Sequence, residues 1–178
     1  MNILGSKIYL RALEEEDSGM LLELINDPET EKMLGGWSFP VSAAEQEQWF
    51  KGLERDVSTL RCAVVPHGEK GAVGTVVLSE IDYKNASAQV HIKLAKGSGR
   101  RKGYGRDAIK AVLRYAFEEL RLNCVYAQVL PDNELSRKLF ERSGFWEEGI
   151  LRERLYKNGG FQDVCVYSIL RKEYRHEA

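Results

Sequence analysis

The sequence predicts an α+β fold: a mixed, mostly antiparallel sheet of six to seven strands with helices on both faces. Three observations carry this expectation. Three β-rich runs, at 60–65, 71–79 and 86–94, are joined by the short turn sequences Pro66-His67-Gly68 and 82–85, which favours an antiparallel meander. A strongly amphipathic helical pattern follows them. Two further apolar runs then flank Asn158-Gly159-Gly160, as in a closing hairpin.

Taken in order, residues 7–13 alternate Ile8, Leu10 and Ala12 with Tyr9 and Arg11, the two-residue period of a half-buried strand. A helix follows, capped by Asp17 or Ser18, with Leu21, Leu24 and Ile25 on one face; Asp27-Pro28 ends it. Residues 33–40 hold Gly35, Gly36, Trp37 and Phe39 and read as an aromatic-bearing loop. Residues 42–55 are helical again, with Trp49, Phe50 and Leu53 expected to point inward. After the meander, Ala108, Ile109, Val112, Leu113, Ala116, Phe117 and Leu120 recur at spacings of three and one, the apolar stripe of a core helix. Residues 124–130 form a strand, 133–143 a short helix, and 145–154 with 161–170 the hairpin.

Length and composition bound the function. A chain of 178 residues with 43% hydrophobic and 30% charged residues is expected to form a single domain, 1–178, with a sizeable core. Its net charge of −1 provides no global field toward nucleic acid or an anionic membrane, so any anion site must be local. The amino terminus lacks a basic segment followed by an apolar run, and no stretch approaches the roughly 18 apolar residues of a membrane span. Cys62, Cys124 and Cys165 are far apart in strand-like runs and read as reduced, buried thiols without metal or disulfide roles. The expected location is the cytoplasm.

The chemistry concentrates in Arg100-Arg101-Lys102-Gly103-Tyr104-Gly105, between a strand and the amphipathic helix. Gly103 and Gly105 allow the backbone to approach a ligand closely and to adopt positive φ. The unpaired N–H groups of the first helical turn, aided by the helix dipole, make an anion site, and Arg106 adds to the positive charge. Gly105-Arg106-Asp107 does not match the Gly-Lys-Ser/Thr of a Walker loop, and a dinucleotide fold would place its glycines after the first strand of a βαβ unit. The residues alone leave open a plain basic helix start with a glycine hinge.

Arg100 to Gly105 fits the coenzyme A signature Gln/Arg-x-x-Gly-x-Gly/Ala at each fixed position. Three further segments occur in matching order: Tyr9-Leu10-Arg11-Ala12-Leu13 with Asp17; Pro131-Asp132-Asn133-Glu134-Leu135-Ser136 with Ser143-Gly144-Phe145; and Gly160-Phe161-Gln162-Asp163 with Tyr167. On these motifs the chain resembles the GCN5-related N-acetyltransferases, most closely their RimJ/RimL-like and spermidine-acetyltransferase-like branch. The resemblance implies that family's acyl-CoA N-acyltransferase fold, with splayed central strands. It also implies transfer of an acetyl group from acetyl-CoA, as co-substrate and without a metal, to a primary amine.

The resemblance further implies roles. Backbone groups of Ile92, Lys93 and Leu94 should pair with the pantetheine arm. Arg100, Arg101, Lys102, Gly103, Tyr104 and Gly105 should hold the pyrophosphate. Asn133 should reach the pantetheine amides, a role compatible with a helix N-cap. Many polyamine-type relatives protonate the thiolate with a tyrosine at the position of Phe140, here a cofactor-lining residue that cannot donate a proton, which leaves Ser136 one turn earlier. The family often has a glutamate base at Gln89, which here cannot accept a proton and is assigned to the substrate side. Strand alternation puts His91 on Gln89's face, with an unperturbed pKa suited to proton transfer, and Glu80 is the other candidate base. Trp37, Phe39 and Trp49 are candidate walls of an acceptor slot, and Glu29, Glu31 and Glu45 candidate attractors of a cationic amine.

The acceptor is read as a protein α-amine or a small amine such as a polyamine, amino sugar or drug. A non-catalytic acyl-CoA sensor is the alternative of a different class, kept open by Gln89 and Phe140. A nucleic-acid module is disfavoured because the basic patch lacks interleaved aromatics. Neither nucleic acid nor membrane is an expected partner. The hairpin near 152–162 is a candidate homodimer contact.

Overall fold

The computed structural model describes residues 1–36, 39–53, 56–97 and 102–175. One eight-stranded sheet runs through them in the spatial order β1-β2-β3-β4-β5-β6-β8-β7. Its strands are β1 (Ile3–Leu4), β2 (Ile8–Ala12), β3 (Leu60–Pro66), β4 (Gly74–Asp82), β5 (Ser87–Leu94), β6 (Cys124–Val129), β7 (Trp146–Lys157) and β8 (Gly160–Leu170). The helices are α1 (Ser18–Asn26), α2 (Pro28–Lys32), α3 (Ala43–Lys51), α4 (Tyr104–Arg114) and α5 (Glu134–Arg142).

The expected strand count of six to seven is therefore one or two short. β1 is only two residues long, too short to show a period, and exists because Ile3 and Leu4 pair with Leu10 and Tyr9. The second surprise is α2, started by Pro28 at its first turn and capped by the Asp27 side chain, which accepts from Thr30 N–H at 2.9 Å. Asp27-Pro28 thus ends one helix and begins another. Trp49 also departs from expectation: it is 45% exposed, because α3 buries its Gln46 face instead.

The core lies between the sheet and α4, whose Ala108, Ile109, Val112 and Leu113 are buried, as the three-and-one spacing predicts. The helix continues through a π turn over Tyr115–Glu119, which carries Ala116 and Phe117 into the same core. Cys62 and Cys165 are buried free thiols and Cys124 is partly buried, and burial pushes the Cys62 thiol up to about 11. No described helix is long and apolar enough to cross a membrane.

Every neighbouring pair of strands is antiparallel except β5 and β6, which run parallel. Their bridges are Ser87↔Cys124, Ala88↔Val125 and Gln89↔Tyr126, and none follows among the described residues. The two strands therefore part beyond Gln89, and the gap between them positions the site.

Candidate active site

Two adjoining recesses open at this split. The larger, about 160 Å³, is lined by Gln89, His91, Gln128 and Leu130 from the sheet region, by Leu155 and Val164 from the hairpin, and by Gly35 and Gly36. The smaller, about 80 Å³, is lined by Ile92, Lys93, Asn133, Ser136 and Phe140, with Met33 and Leu34 above. Gly35, His91, Gln128 and Val129 border both, so the recesses meet at the strand gap. Ser136 and His91, far apart in sequence, share the smaller recess, and Gln89 joins His91 in the larger.

The glycine loop approaches from the α4 side. Gly103 is left-handed, at φ 86°, and forms the N-cap of α4. The first intrahelical bond is Asp107 N–H to Gly103 O at 3.1 Å, so the N–H groups of Tyr104, Gly105 and Arg106 precede it without an intrahelical acceptor. A Cβ added at Gly105 would stand 3.2 Å from Leu94 Cδ1, 3.6 Å from Leu139 Cδ2 and 3.8 Å from Ile92 Cδ1. The helix start is thus packed between the end of β5 and α5, beside the smaller recess. Lys102 projects its Nζ over the Tyr104 ring at 5.7 Å. Arg100, Arg101 and Trp37 lie outside the described residues.

A buried carboxylate locks this corner. Asp107 Oδ1 accepts from Ser6 N–H and Oγ–H, and Oδ2 from the N–H groups of Lys7, at 2.7 Å, and Ile8. Burial alone would raise its pKa, but these hydrogen bonds more than offset that and hold the group below the ordinary carboxylate range. Lys7 in turn donates from Nζ to Lys102 O at 3.2 Å, so the turn between β1 and β2 supports the loop from below.

Asn133 Oδ1 caps α5 by accepting from Ser136 N–H, and its Nδ2 donates to Met33 O, both at 3.1 Å. Phe140 is buried in an aromatic cluster, its ring centroid 5.0 Å from Phe145 and 6.5 Å from Tyr167, and it floors the smaller recess. The Tyr167 hydroxyl donates to Glu147 at 2.7 Å and accepts from Arg137 Nε at 3.1 Å; its burial pushes its pKa up to about 12.

His91 Nε2 and Ser79 Oγ are 2.8 Å apart, a hydrogen bond whose direction follows the imidazole tautomer. The ring edge meets solvent, yet protein surrounds it in the recess. That desolvation, with Lys93 nearby, lowers its pKa below 6.5, and Glu80 opposes the shift. Burial also lowers the Lys93 pKa. Glu80 lies at the β4 bulge with φ 52°, accepts from Tyr126 Oη–H at 2.6 Å, and lines neither recess.

The carboxylates singled out in the sequence are already engaged. Glu29 and Asp27 both pair with Lys96, Glu31 pairs with Lys157, and Glu45 completes a capping box with Ser42. Phe39 is 63% exposed and neither it nor Trp49 lines a recess. Residues that sequence reasoning missed are Gln128, Leu155 and Val164, while the loop at 33–40, expected on the acceptor side, reaches the recesses through 33–36. Tyr126 is the residue opposite Gln89, and strand alternation puts Gln128 on the same face as Tyr126, but knowing that β5 and β6 are neighbours requires the sheet order.

Residues 7–146 match the sequence profile described as an acetyltransferase (GNAT) domain. The chain is similar to the spermidine N(1)-acetyltransferase of Vibrio cholerae, 31% identical over 172 residues, covering 96% of this chain and 97% of that one. It is 33% identical over 178 residues to YdaF of Bacillus subtilis, provisionally named a ribosomal N-acetyltransferase, covering 96% and 94%. The crystal structure of spermidine N-acetyltransferase from Vibrio cholerae in complex with CoA and spermine superposes with a TM-score of 0.86 at 32% identity, covering 95% of this chain and 98% of that one. A split parallel strand pair beside a glycine-capped helix thus accompanies similarity along nearly the whole chain, and the protein belongs to the GNAT family of N-acetyltransferases, which move an acetyl group from acetyl-CoA to a primary amine.

Proposed function

We propose that the favoured acceptor is a primary amine carried on a neutral, amide-rich body, as at the amino terminus of a peptide. The observation that carries this is the lining of the larger recess, where Gln89 and Gln128 bring carboxamides to face an acceptor. The charge at the adjoining recess is the cation of Lys93, while Glu29, Glu31 and Glu45 are held by lysines or a helix cap. A polycationic acceptor would meet Lys93 without a free carboxylate from that set. Similarity to spermidine acetyltransferases supports the second reading, a small polyamine.

On this reading the glycine-capped start of α4 receives the pyrophosphate, through Lys102, Gly103, Tyr104 and Gly105 together with Arg100 and Arg101. The β5 edge at Ile92, Lys93 and Leu94 receives the pantetheine arm, with Phe140 beneath. Acetyl-CoA supplies the activated acyl carbon. The acceptor amine attacks it directly, forming the amide bond as the carbon–sulfur bond breaks. His91, neutral because its pKa is lowered, accepts the amine proton; with Nε2–H donated to Ser79, Nδ1 holds the lone pair. Ser136, across the smaller recess, donates a hydrogen bond to the leaving sulfur, and the proton taken up by His91 passes to the thiolate to give the free thiol of coenzyme A. Asn133 orients Ser136 through the cap and holds Met33 in place.

The same reading takes the chain as a single catalytic domain working without a metal in the cytoplasm. It pairs as a homodimer through the hairpin, where Tyr156 and Phe161 stack edge to face and are exposed. The test is thiol release from acetyl-CoA across a panel of short peptides, polyamines and amino sugars. Peptides should give the highest kcat/KM; a tenfold preference for spermidine would transfer the assignment to polyamines.

A further inference from the structure

The cleft has a roof, residues 33–36, fastened from two distant places. At one end Asn133 Nδ2 of α5 donates to Met33 O. At the other, Lys157, the last residue of β7, donates from Nζ to Gly36 O at 2.8 Å and to Glu31 Oε1 at 2.6 Å. Lys157 is only 7% exposed, and a lysine so buried is retained where its charge and donors are satisfied. Between the two fastenings, Gly35 lies so close to β7 that an added Cβ would stand 3.0 Å from Leu155 Cδ1. Gly35 borders both recesses and Gly36 the larger one.

We propose that Lys157 is a positioning residue for the acceptor. By clamping Gly36 and Glu31 it sets the height of the roof over Gln89 and His91, and so determines which amines fit, without touching acetyl-CoA. The clamp joins β7 to α2 across more than a hundred residues of sequence, so the hairpin that supplies Leu155 and Val164 to one wall also fixes the opposite one. This inference rests on the assignment of the larger recess to the acceptor.

The test uses the full chain with Lys157→Met, which keeps most of the volume and removes the donors. The acceptor KM is expected to rise about tenfold with kcat changed less than about threefold, because ground-state positioning is what is lost. Coenzyme A affinity by calorimetry should stay within about twofold, and Lys157→Arg should recover part of the acceptor KM. Hydrogen exchange at the amides of 33–36 should accelerate in Lys157→Met. Unchanged exchange together with an unchanged acceptor KM would overturn the clamp. A parallel loss of coenzyme affinity would also overturn it, by showing a general scaffold role. Should Lys157→Met not fold, Glu31→Gln, which removes the charge partner, is judged by the same exchange measurement, and wild-type protection there defeats the proposal. If the wild-type enzyme turns over no amine in the panel, the acceptor assignment fails, while exchange still decides the clamp.

Discussion

Tyr126 donates its hydroxyl to Glu80 across the β4 bulge at 2.6 Å, tying the carboxylate down beside the cleft while His91 faces into it. Burial first, and this hydrogen bond second, push the Tyr126 pKa up to about 12. Glu80 thereby acts on His91 through its charge, which raises the imidazole pKa against burial and Lys93.

Glu80→Gln is expected to lower kcat by less than about tenfold and to move the acid limb of the kcat/KM profile to lower pH. A general base is worth about 10²-fold or more, so a loss of that size would make Glu80, and not His91, the proton acceptor. The pH–rate profile of the variant decides between them.

His91 protonates below 6.5, so activity should persist on the acid side of that value and fall only as the imidazole becomes charged. Lys93→Met removes a neighbouring cation and should move this limb upward, toward the ordinary histidine range. His91→Gln should abolish the limb. An unaltered profile in both variants would remove His91 from proton transfer.

Gly105→Val places a branched side chain where Leu94, Leu139 and Ile92 already press. Coenzyme A affinity, measured by calorimetry, should fall by more than about tenfold, since overpacking displaces the helix start from its ligand. Gly103→Ala should weaken binding less while costing about 1 kcal/mol in stability, because φ 86° strains an L residue.

Asp107→Asn should destabilise the fold by about 2 kcal/mol at neutral pH, read from urea unfolding. An amide group cannot accept from both Lys7 and Ile8 N–H through its nitrogen. The folded pKa lies below the unfolded one, so this stabilisation is present above the unfolded value near ~4 and is lost as pH falls through the folded value. The difference between wild type and variant should therefore shrink on acidification.

How far the sequence alone reached depended on whether a feature is written locally. The α4 stripe, the α5 cap at Asn133 and the left-handed Gly103 were legible because each depends on residues within a turn or two. His91 and Gln89 were legible as sharing a face because a strand alternates. The β3–β4–β5 meander and the β7–β8 hairpin were legible from their short turns, whereas the tertiary structure alone decided which sequence-distant strands meet. It brought Tyr126 opposite Gln89 through the parallel β5–β6 pair, leaving Gln128 one step beyond on the same face, paired the two-residue β1, and turned α3 so that Gln46 rather than Trp49 is buried. It also engaged Glu29 and Glu31 with Lys96 and Lys157, and brought the Met33 carbonyl within hydrogen-bond reach of Asn133. Periodicity records which side of an element is apolar, whereas the partner across the gap is set by chain closure over tens to a hundred residues, and no local pattern carries that distance.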